Sequence, residues 1–253
     1  MNLQLENKVA LVTGGSHGIG QAICVALAEE GCEIYFCSRG VRYDPYVTFQ
    51  MVQSNGVRCY NKEINASTEA TVNEVVKDVF DCCGGVDILV NNIGGGSSWG
   101  NTENWDETPS NKWEEVMQHN YMTSVWFTNA VVPHMVMSGW GRVISIAAVY
   151  GKERGGMPWF HAAKSAQIAL MKSYSGNSKY VTNGITFNTI CPGFTDVRHK
   201  DKVFGEEELE KVPLRRFGYP EDVAPLVAFL CSDKASYING ACITVDGGMS
   251  RSI

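Results

Sequence analysis

A short run of glycines near the start of the chain has the composition of a phosphate-binding turn. It reads Thr13-Gly14-Gly15-Ser16-His17-Gly18-Ile19-Gly20 and follows the apolar run from Val9 to Val12. Glycine lets the backbone turn tightly and bring N–H groups close to a phosphate, and the start of a helix favours an anion. The spacing G-x-x-x-G-x-G differs from the common G-x-G-x-x-G fingerprint. Such a turn can be structural alone, but the strand before it and the helix after it favour nucleotide binding.

The end of the second predicted strand bears on which nucleotide would bind. It reads Cys37-Ser38-Arg39. An acidic residue there would bind a ribose 2′-hydroxyl, whereas arginine suits a 2′-phosphate. Ser38 and Arg39 therefore favour NADP(H) over NAD(H). The alternative is that Arg39 is a solvated loop residue.

Strand-like and helix-like segments alternate along the chain and would hold these residues in place. The predicted strands are 9–12, 33–37, 86–90, 142–147, 185–190 and 241–245, and the predicted helices are 19–30, 72–80, 113–132, 160–174 and 220–231. This alternation predicts an α/β fold with a doubly wound parallel sheet and helices on both faces. We see no repeat, low-complexity tract or linker, so we expect one domain over residues 1–253.

The composition excludes several function classes. The 253 residues are 44% hydrophobic and 19% charged, with a net charge of −6, and no basic run suggests a nucleic-acid surface. No apolar stretch is long enough to span a bilayer, and the N-terminus lacks a signal pattern, so we expect a cytoplasmic protein without a membrane partner. The nine cysteines show no C-x-x-C, and the adjacent Cys82-Cys83 has poor geometry for a metal or a disulfide. We expect reduced thiols and no metal site.

Several motifs together are highly specific. They are the glycine turn, Asn91-Asn92-Ile93-Gly94, Asn120 in a predicted helix, Pro192-Gly193 and the closing stretch from Pro213 to Asp246-Gly247-Gly248. On these motifs the chain resembles the short-chain dehydrogenase/reductase family over about residues 5 to 249. The resemblance implies a Rossmann-like sheet of about seven strands and a nicotinamide cofactor.

The resemblance also implies which residues contact the cofactor and how the chain assembles. The implied cofactor contacts are Gly14, Ser16, His17, Gly18, Ile19, Gly20, Ser38, Arg39, Glu63, Ile64, Asn91, Ile93, Gly94, Lys164, Pro192, Gly193 and Thr195. Homotetramers or homodimers are usual in the family. They pack through helices that correspond here to those starting near Trp113 and Phe160.

The catalytic positions depart from the family pattern. The family uses asparagine, serine, tyrosine and lysine, and the resemblance assigns Asn120 and Lys164 to the first and last. Phe160 stands at the tyrosine position, one helical turn before Lys164, and Ala148 stands at the serine position. Hydride addition to a carbonyl leaves charge on oxygen that a proton or donors must meet. A positioned acid contributes about 10²–10⁴ in rate, which neither phenylalanine nor alanine can supply.

Other groups near these positions could replace the missing hydroxyls. Tyr150 lies two residues after Ala148 and is either a substitute donor or a pocket wall. His161 adjoins Phe160 but should point away, since one residue turns a helix by about 100°. Lys164 could act as an acid if burial lowers its pKa, or it could bind only the cofactor ribose.

Two loops would face the substrate. Residues 94–105 are rich in glycine, asparagine and tryptophan, which suits a sugar-like ligand or, alternatively, a surface loop pinned by tryptophans. The segment from Val197 to Val212 contains Arg198, His199, Lys200 and Lys202, which would suit an anionic substrate or simply form a solvated charged surface.

The leading interpretation is an NADP(H)-dependent oxidoreductase that acts on a polar small molecule with an atypical active site. Two competitors remain open: a nucleotide-binding protein without catalytic activity, and a non-redox lyase or isomerase that uses the same pocket.

Overall fold

The computed structural model describes residues 2–40, 43–96, 100–101, 103–197 and 205–252. Within them, seven strands form one parallel sheet in the order β3-β2-β1-β4-β5-β6-β7. The strands are β1 Val9–Thr13, β2 Glu33–Ser38, β3 Cys59–Glu63, β4 Ile88–Asn91, β5 Gly141–Ile146, β6 Ile185–Pro192 and β7 Cys242–Val245. The order confirms the predicted Rossmann-like fold. From β1 the chain adds β2 and β3 on one side, and it then crosses back to add β4 on the other side of β1. Sheets of this kind bind ligands in the crevice at that point, outside the carboxyl ends of the strands.

Helices cover both faces of the sheet. In the described residues they are α1 Gly18–Glu29, α2 Pro45–Gln53, α3 Glu69–Cys83, α4 Ser110–Met117, α5 Thr123–Ser138, α6 Pro158–Ser175, α7 Ser178–Val181, α8 Glu206–Glu210 and α9 Pro220–Cys231. One core packs α1 and α9 against the sheet through residues such as Ile23 and Val227. The other packs α3, α5 and α6 through residues such as Val75, Phe127 and Met171. None of the helices in these ranges is long and apolar enough to cross a membrane.

Among the described residues, the sequence patterns missed strand β3, helix α2 and the short helices α7 and α8. Strand β3 lies at the sheet edge, and only its first residue, Cys59, is fully buried, so it lacks the apolar run of a central strand. Helix α2 begins at Pro45, and the Asp44 carboxylate accepts a hydrogen bond from the Tyr46 N–H at 2.9 Å. An Asp-Pro pair is a recognisable helix start, so this signal was present in the sequence.

The long helix predicted over 113–132 is corrected in two ways. Helices α4 and α5 are separated by a π-helical turn, Gln118–Met122, and α5 continues to Ser138. Helical periodicity over a window cannot detect a single wider turn. Such turns are frequent at functional sites, and this one contains Asn120.

Arg142, at the start of β5, is a buried cation held by backbone carbonyls. Its guanidinium donates to the carbonyls of Gly141 at 2.8 Å and Gly184 at 3.0 Å. It also forms an ion pair with Asp233 at 2.9 Å, and the Arg142 side chain is only 2% exposed. Removing it would leave buried acceptors without donors, at about 1–3 kcal/mol each.

We therefore expect Arg142→Ala to lower the free energy of unfolding by about 2–5 kcal/mol, because the Gly141 and Gly184 carbonyls would lose their donor. Urea denaturation followed by circular dichroism measures this. Arg58→Ala is the matched control, because Arg58 pairs with Glu33 at the surface and its side chain is 59% exposed, so its loss should cost less than about 1 kcal/mol. Equal losses in the two variants would contradict a structural role for the buried cation.

Candidate active site

The glycine turn is drawn tightly against the ends of β1 and β2. The N–H groups of Gly14 and Gly15 donate to the Cys37 carbonyl at 2.8 and 3.2 Å. A Cβ atom on Gly20 would lie 2.2 Å from the Gly14 carbonyl oxygen, so only glycine fits there. The His17 side chain precedes α1 without capping it. The first turn of α1 therefore presents its backbone N–H groups at the crevice, as an anion site requires.

Asn92 ties this turn to the end of β4. Its amide group donates to the carbonyls of Thr13 at 2.9 Å and Gly14 at 3.1 Å. In return, the Thr13 hydroxyl accepts hydrogen bonds from the backbone N–H groups of Asn92 and Ile93. The side chain of Asn91 points the other way, into the core, where its amide donates to the Thr128 hydroxyl at 3.0 Å. In the Asn-Asn pair, the side chain that borders the turn is thus Asn92, which sequence reasoning did not single out.

The outer side of the turn is covered by stacked rings. His17 stacks on Tyr43 with ring centroids 3.9 Å apart and planes 12° from parallel. Ser16 is buried beneath, and its hydroxyl lies 3.4 Å from the His17 ring nitrogen Nδ1. Tyr43 was not predicted as a site residue, because nothing in its local pattern indicates this contact.

The ends of β2 and β3 lie side by side, with Ser38 paired to Glu63. Ser38 is buried, Arg39 is exposed, and the Glu63 carboxylate packs against Gly40. The Ile64 N–H donates to the Ser38 carbonyl at 2.7 Å and fixes the two strand ends together. The predicted residues Ser38, Arg39, Glu63 and Ile64 therefore meet at one edge of the crevice.

The π-helical turn brings Asn120 and its neighbour against the backbone that follows β4. The fully buried Asn120 side chain accepts the Gly95 N–H at 3.0 Å and donates to the Gly95 carbonyl at 2.8 Å. The adjacent His119 ring hydrogen-bonds the Gly94 carbonyl. Burial lowers the pKa of His119 to about 4, with the positive charges of Arg39 and Lys164 acting in the same direction, so the ring is neutral near pH 7. His119 was also missed by sequence reasoning.

Lys164 is a buried lysine at the centre of this arrangement. Its ammonium nitrogen donates to the Ile146 carbonyl at 3.1 Å and lies 5.7 Å from the centre of the Phe160 ring. A Cβ atom on Gly94 would lie 2.7 Å from the same nitrogen and 2.8 Å from the Asn120 Oδ1 atom. Burial lowers the pKa of Lys164 to about 7. The group therefore exchanges a proton readily near neutral pH.

Phe160 and Ala148 contribute no hydroxyl to the pocket. Phe160 is half-buried at the first turn of α6 and packs with a small apolar cluster that includes Trp113 and Trp159. Ala148 follows β5 and is half-buried. Neither side chain can therefore donate a proton or a hydrogen bond near Lys164.

Tyr150 forms part of an aromatic wall. A Cβ atom on Gly155 or Gly156 would lie 2.4 or 3.0 Å from its ring, and Phe194 meets the ring edge-on with centroids 6.0 Å apart. Burial, followed by the nearby Glu208 carboxylate, raises the pKa of the Tyr150 hydroxyl. A raised pKa makes the phenol a weaker acid, which favours the pocket-wall interpretation.

The segment after β6 is held against β7. Pro192 pairs with Val245, and the Gly193 N–H donates to the Val245 carbonyl at 3.0 Å. A Cβ atom on Gly193 would lie 2.7 Å from the Asp246 Cβ. Thr195 is buried, bridges to Gly218, and its hydroxyl donates to the Gly193 carbonyl at 3.1 Å. Pro192, Gly193 and Thr195 thus form one fixed border of the crevice.

The structure describes the two predicted substrate loops only in part. Ser97, Ser98, Trp99 and Thr102 of the first loop lie outside the described residues, as do Arg198, His199, Lys200 and Lys202 of the second. In the described part of the first loop, the Asn101 side chain accepts the Glu103 and Asn104 N–H groups and donates to Glu107. These bonds hold the loop together and engage the Asn101 amide within the loop itself.

The chain is similar to known proteins over most of its length. A family model described as enoyl-(acyl carrier protein) reductase matches residues 14–250. The chain is 32% identical to the 3-oxoacyl-(acyl-carrier-protein) reductase FabG of Aquifex aeolicus (strain VF5), covering 98% of this chain and 100% of that protein. It is also 32% identical to FabG of Vibrio cholerae serotype O1 (strain ATCC 39315 / El Tor Inaba N16961), covering 98% and 99%. A 7α-hydroxysteroid dehydrogenase structure with NADH and 7-oxo glycochenodeoxycholic acid superposes with a TM-score of 0.88, at 26% identity, over 98% of this chain and 96% of that one.

Proposed function

Because the chain belongs to the short-chain dehydrogenase/reductase family, we propose that it is an NADP(H)-dependent oxidoreductase that reduces a carbonyl or oxidises an alcohol on a polar small molecule. The observation that carries the proposal is the position of Lys164, buried beside Gly94 and hydrogen-bonded to a backbone carbonyl. An ammonium group costs stability when it is buried, so its retention there indicates a chemical role.

The described residues fit a nicotinamide dinucleotide. The glycine turn and the start of α1 suit its pyrophosphate, and the close approach of Gly20 to Gly14 leaves no room for a side chain within the turn. Gly94, Lys164 and the Pro192–Thr195 segment border the part of the crevice that would take the ribose and nicotinamide. The bound cofactor supplies or accepts hydride, and the chain's own residues must bind, orient and handle the proton.

Arg39 supports the choice of the phosphorylated cofactor. It is exposed at the end of β2, beside the buried Ser38, and its charge acts on His119 across the crevice. A guanidinium group there would bind a ribose 2′-phosphate by charge-assisted hydrogen bonds. The neighbouring Glu63 carboxylate would oppose that phosphate in part.

We expect Arg39→Ala to weaken NADPH binding about 10–100-fold, since hydrogen bonds to a charged group contribute about 1.5–3 kcal/mol. NADH binding should change by less than about threefold, because NADH lacks the phosphate that the guanidinium would bind. Cofactor fluorescence titration measures both affinities. Arg58 directly precedes β3 and pairs with Glu33 at the surface, so Arg58→Ala should change neither the NADPH affinity nor the NADH affinity. Equal weakening of both cofactors by Arg39→Ala would show that Arg39 does not bind the phosphate.

We expect Gly20→Ala to weaken binding of either cofactor by at least about tenfold, because the new methyl group would displace the Gly14 carbonyl and distort the turn. The free energy of unfolding should also fall by about 1–3 kcal/mol. Gly176→Ala is the matched control, since its nearest atom lies 3.7 Å away in ordinary contact. Calorimetric titration and urea denaturation measure the two effects. Unchanged affinity in Gly20→Ala would place the phosphates elsewhere.

The proton needed by the reaction can come from Lys164. Phe160 and Ala148, at the positions that the resemblance assigns to tyrosine and serine, provide no acid. Lys164 lies 5.7 Å from the Phe160 ring centre, and its lowered pKa lets it donate or accept a proton near pH 7. We assign to Asn120 and His119 the positioning of the Gly94–Gly95 backbone beside this ammonium.

The substrate would lie between this cluster and the aromatic wall of Tyr150 and Phe194. A polar ring-bearing compound, sugar-like or anionic, could place an apolar face on the wall and a carbonyl group towards Lys164. The mainly apolar groove between α5, α6 and α7, which includes Val136 and the 80% exposed Met137, supports assembly into homodimers or homotetramers. We also propose a single domain and a cytoplasmic location.

The proposal is tested by cofactor titration followed by turnover with a panel of small carbonyl compounds. We expect micromolar-range NADPH binding, on the order of −8 kcal/mol, and steady NADPH oxidation with at least one polar carbonyl. Binding without oxidation of NADPH by any substrate would favour a silent nucleotide-binding protein. Product formation without net redox change would favour a lyase or isomerase.

A further inference from the structure

Two cysteines that are far apart in sequence meet beside the candidate active site. Cys191 is the next-to-last residue of β6, and Cys242 is the first residue of the neighbouring strand β7. Their sulfur atoms lie 3.4 Å apart, and both thiols are free. The adjacent Cys82 and Cys83 offer the contrasting case, because neighbours in a helix cannot bring their sulfurs together with good disulfide geometry.

The surroundings make this pair reactive. Cys191 is buried, whereas Cys242 is half-exposed and therefore within reach of small reagents. Lys152 and Lys172 place positive charge near Cys242, and Lys172 is fixed by a bond to the Gly240 carbonyl at 3.1 Å. The Cys191 thiol and these charges lower the pKa of Cys242 to about 7, while the shared proton raises the pKa of Cys191.

We propose that Cys191 and Cys242 form a redox-modifiable dithiol that a low-molecular-weight disulfide converts to an intramolecular disulfide. The contact between two sulfurs on adjacent strands, one buried and one accessible, is the arrangement of an attacking and a resolving cysteine. No residue of the glycine turn or of the Lys164 cluster takes part in the bond.

The reaction balances as a two-electron exchange. The Cys242 thiolate attacks one sulfur of the small disulfide, forms a mixed disulfide and releases the first thiolate. Cys191 gives up its proton to solvent, and its thiolate then attacks the Cys242 sulfur and releases the second thiolate. The dithiol has lost two electrons and two protons, and the small disulfide has been reduced to two thiols.

The disulfide would disturb two borders of the crevice, namely Pro192-Gly193 at the end of β6 and Ala148 after β5. The sulfurs must approach from 3.4 Å to about 2.05 Å, so the strand ends must shift. Cys191 directly precedes Pro192-Gly193, and its sulfur faces the backbone of Ala148. We expect turnover to fall at least fivefold in the oxidised protein. This consequence rests on the proposed function, whereas formation of the disulfide does not.

The test uses the full chain with Cys82→Ser and Cys83→Ser, which removes the more accessible thiols outside the pair. The protein is equilibrated with glutathione disulfide, alkylated, digested and analysed by mass spectrometry. We expect a peptide pair joined through Cys191 and Cys242 to become the main oxidised species, and dithiothreitol to reverse it. With Cys242→Ser added, the joined peptides should disappear and Cys191 should stay reduced.

Two results would overturn the inference. The first is a Cys242 that ends as a stable mixed disulfide with glutathione, because this shows that Cys191 cannot resolve it. The second is a pair that stays fully reduced while the unsubstituted chain is modified at Cys82. The peptide readout needs no activity, so it stands if the reduced protein turns over no carbonyl compound. A joined pair with unchanged turnover would overturn only the effect on the active site.

Discussion

Replacing Lys164 with methionine is expected to lower turnover by at least about 10²-fold and, at pH 7, to make the protein harder to unfold. The ammonium group is buried, and burial lowers its pKa from the ordinary 10.5 to about 7. Each pKa unit corresponds to about 1.4 kcal/mol, and the lost bond to the Ile146 carbonyl offsets about 1 kcal/mol of the gain. Lowering the pKa from 10.5 to about 7 corresponds to about 4–5 kcal/mol, so the net stabilisation at pH 7 should be about 3–4 kcal/mol.

The pH dependence gives this prediction a signature. Above pH 10.5 the lysine is neutral in both the folded and the unfolded chain, so its titration has no effect. As the pH falls from 10.5 to about 7, the unfolded chain takes up a proton that the folded chain does not, and the wild type loses stability. The advantage of Lys164→Met should therefore be larger at pH 7 than at pH 9.5. Urea denaturation at the two values measures it.

Lys172→Met is the matched control. Lys172 lies on the same helix and donates to a backbone carbonyl, but it is exposed, so methionine should bring no stabilisation that depends on pH. If both variants behaved alike, the burial of Lys164 would not be the cause. In the wild type, carbonyl reduction should decline as the pH rises above about 7, because the protonated fraction of Lys164 falls.

Local sequence signals placed much of the crevice correctly in the fold. The glycine turn lies between β1 and α1, and Ser38 and Arg39 follow β2, because a strand that ends in glycine or polar residues has a clear pattern. The sequence patterns missed strand β3 because an edge strand need not be apolar on both faces. Its last residue, Glu63, was found only through the resemblance.

Contacts between distant segments were not readable from the sequence. The stack of His17 on Tyr43, the bond of Asn92 to Gly14, and the meeting of Cys191 with Cys242 join residues that are 26 to 78 positions apart. No local period encodes such contacts. The role of His119 depends on a π-helical turn, which a pattern of 3.6 residues per turn does not reveal.

Restoring both hydroxyls, by Phe160→Tyr together with Ala148→Ser, is expected to raise kcat/KM for reduction of a small ketone by about 10²–10⁴. Position 160 lies one helical turn from Lys164, and the ring centre is 5.7 Å from the ammonium nitrogen, so a phenol there would sit next to a positive charge that lowers its pKa. Phe160→Tyr alone should give part of the gain, since the serine hydroxyl only orients the carbonyl oxygen. Both the oxidation of NADPH and the amount of alcohol product measure this gain.

The control is Tyr150→Phe in the wild type, which removes the phenol of the aromatic wall. We expect a change of less than about threefold, since the raised pKa of Tyr150 makes it a poor acid and Lys164 supplies the proton. A large loss in Tyr150→Phe would instead identify that hydroxyl as the donor. If the double variant binds NADPH normally and gains nothing, the pocket has been adapted to chemistry other than carbonyl reduction, because the missing acid would then not limit the rate.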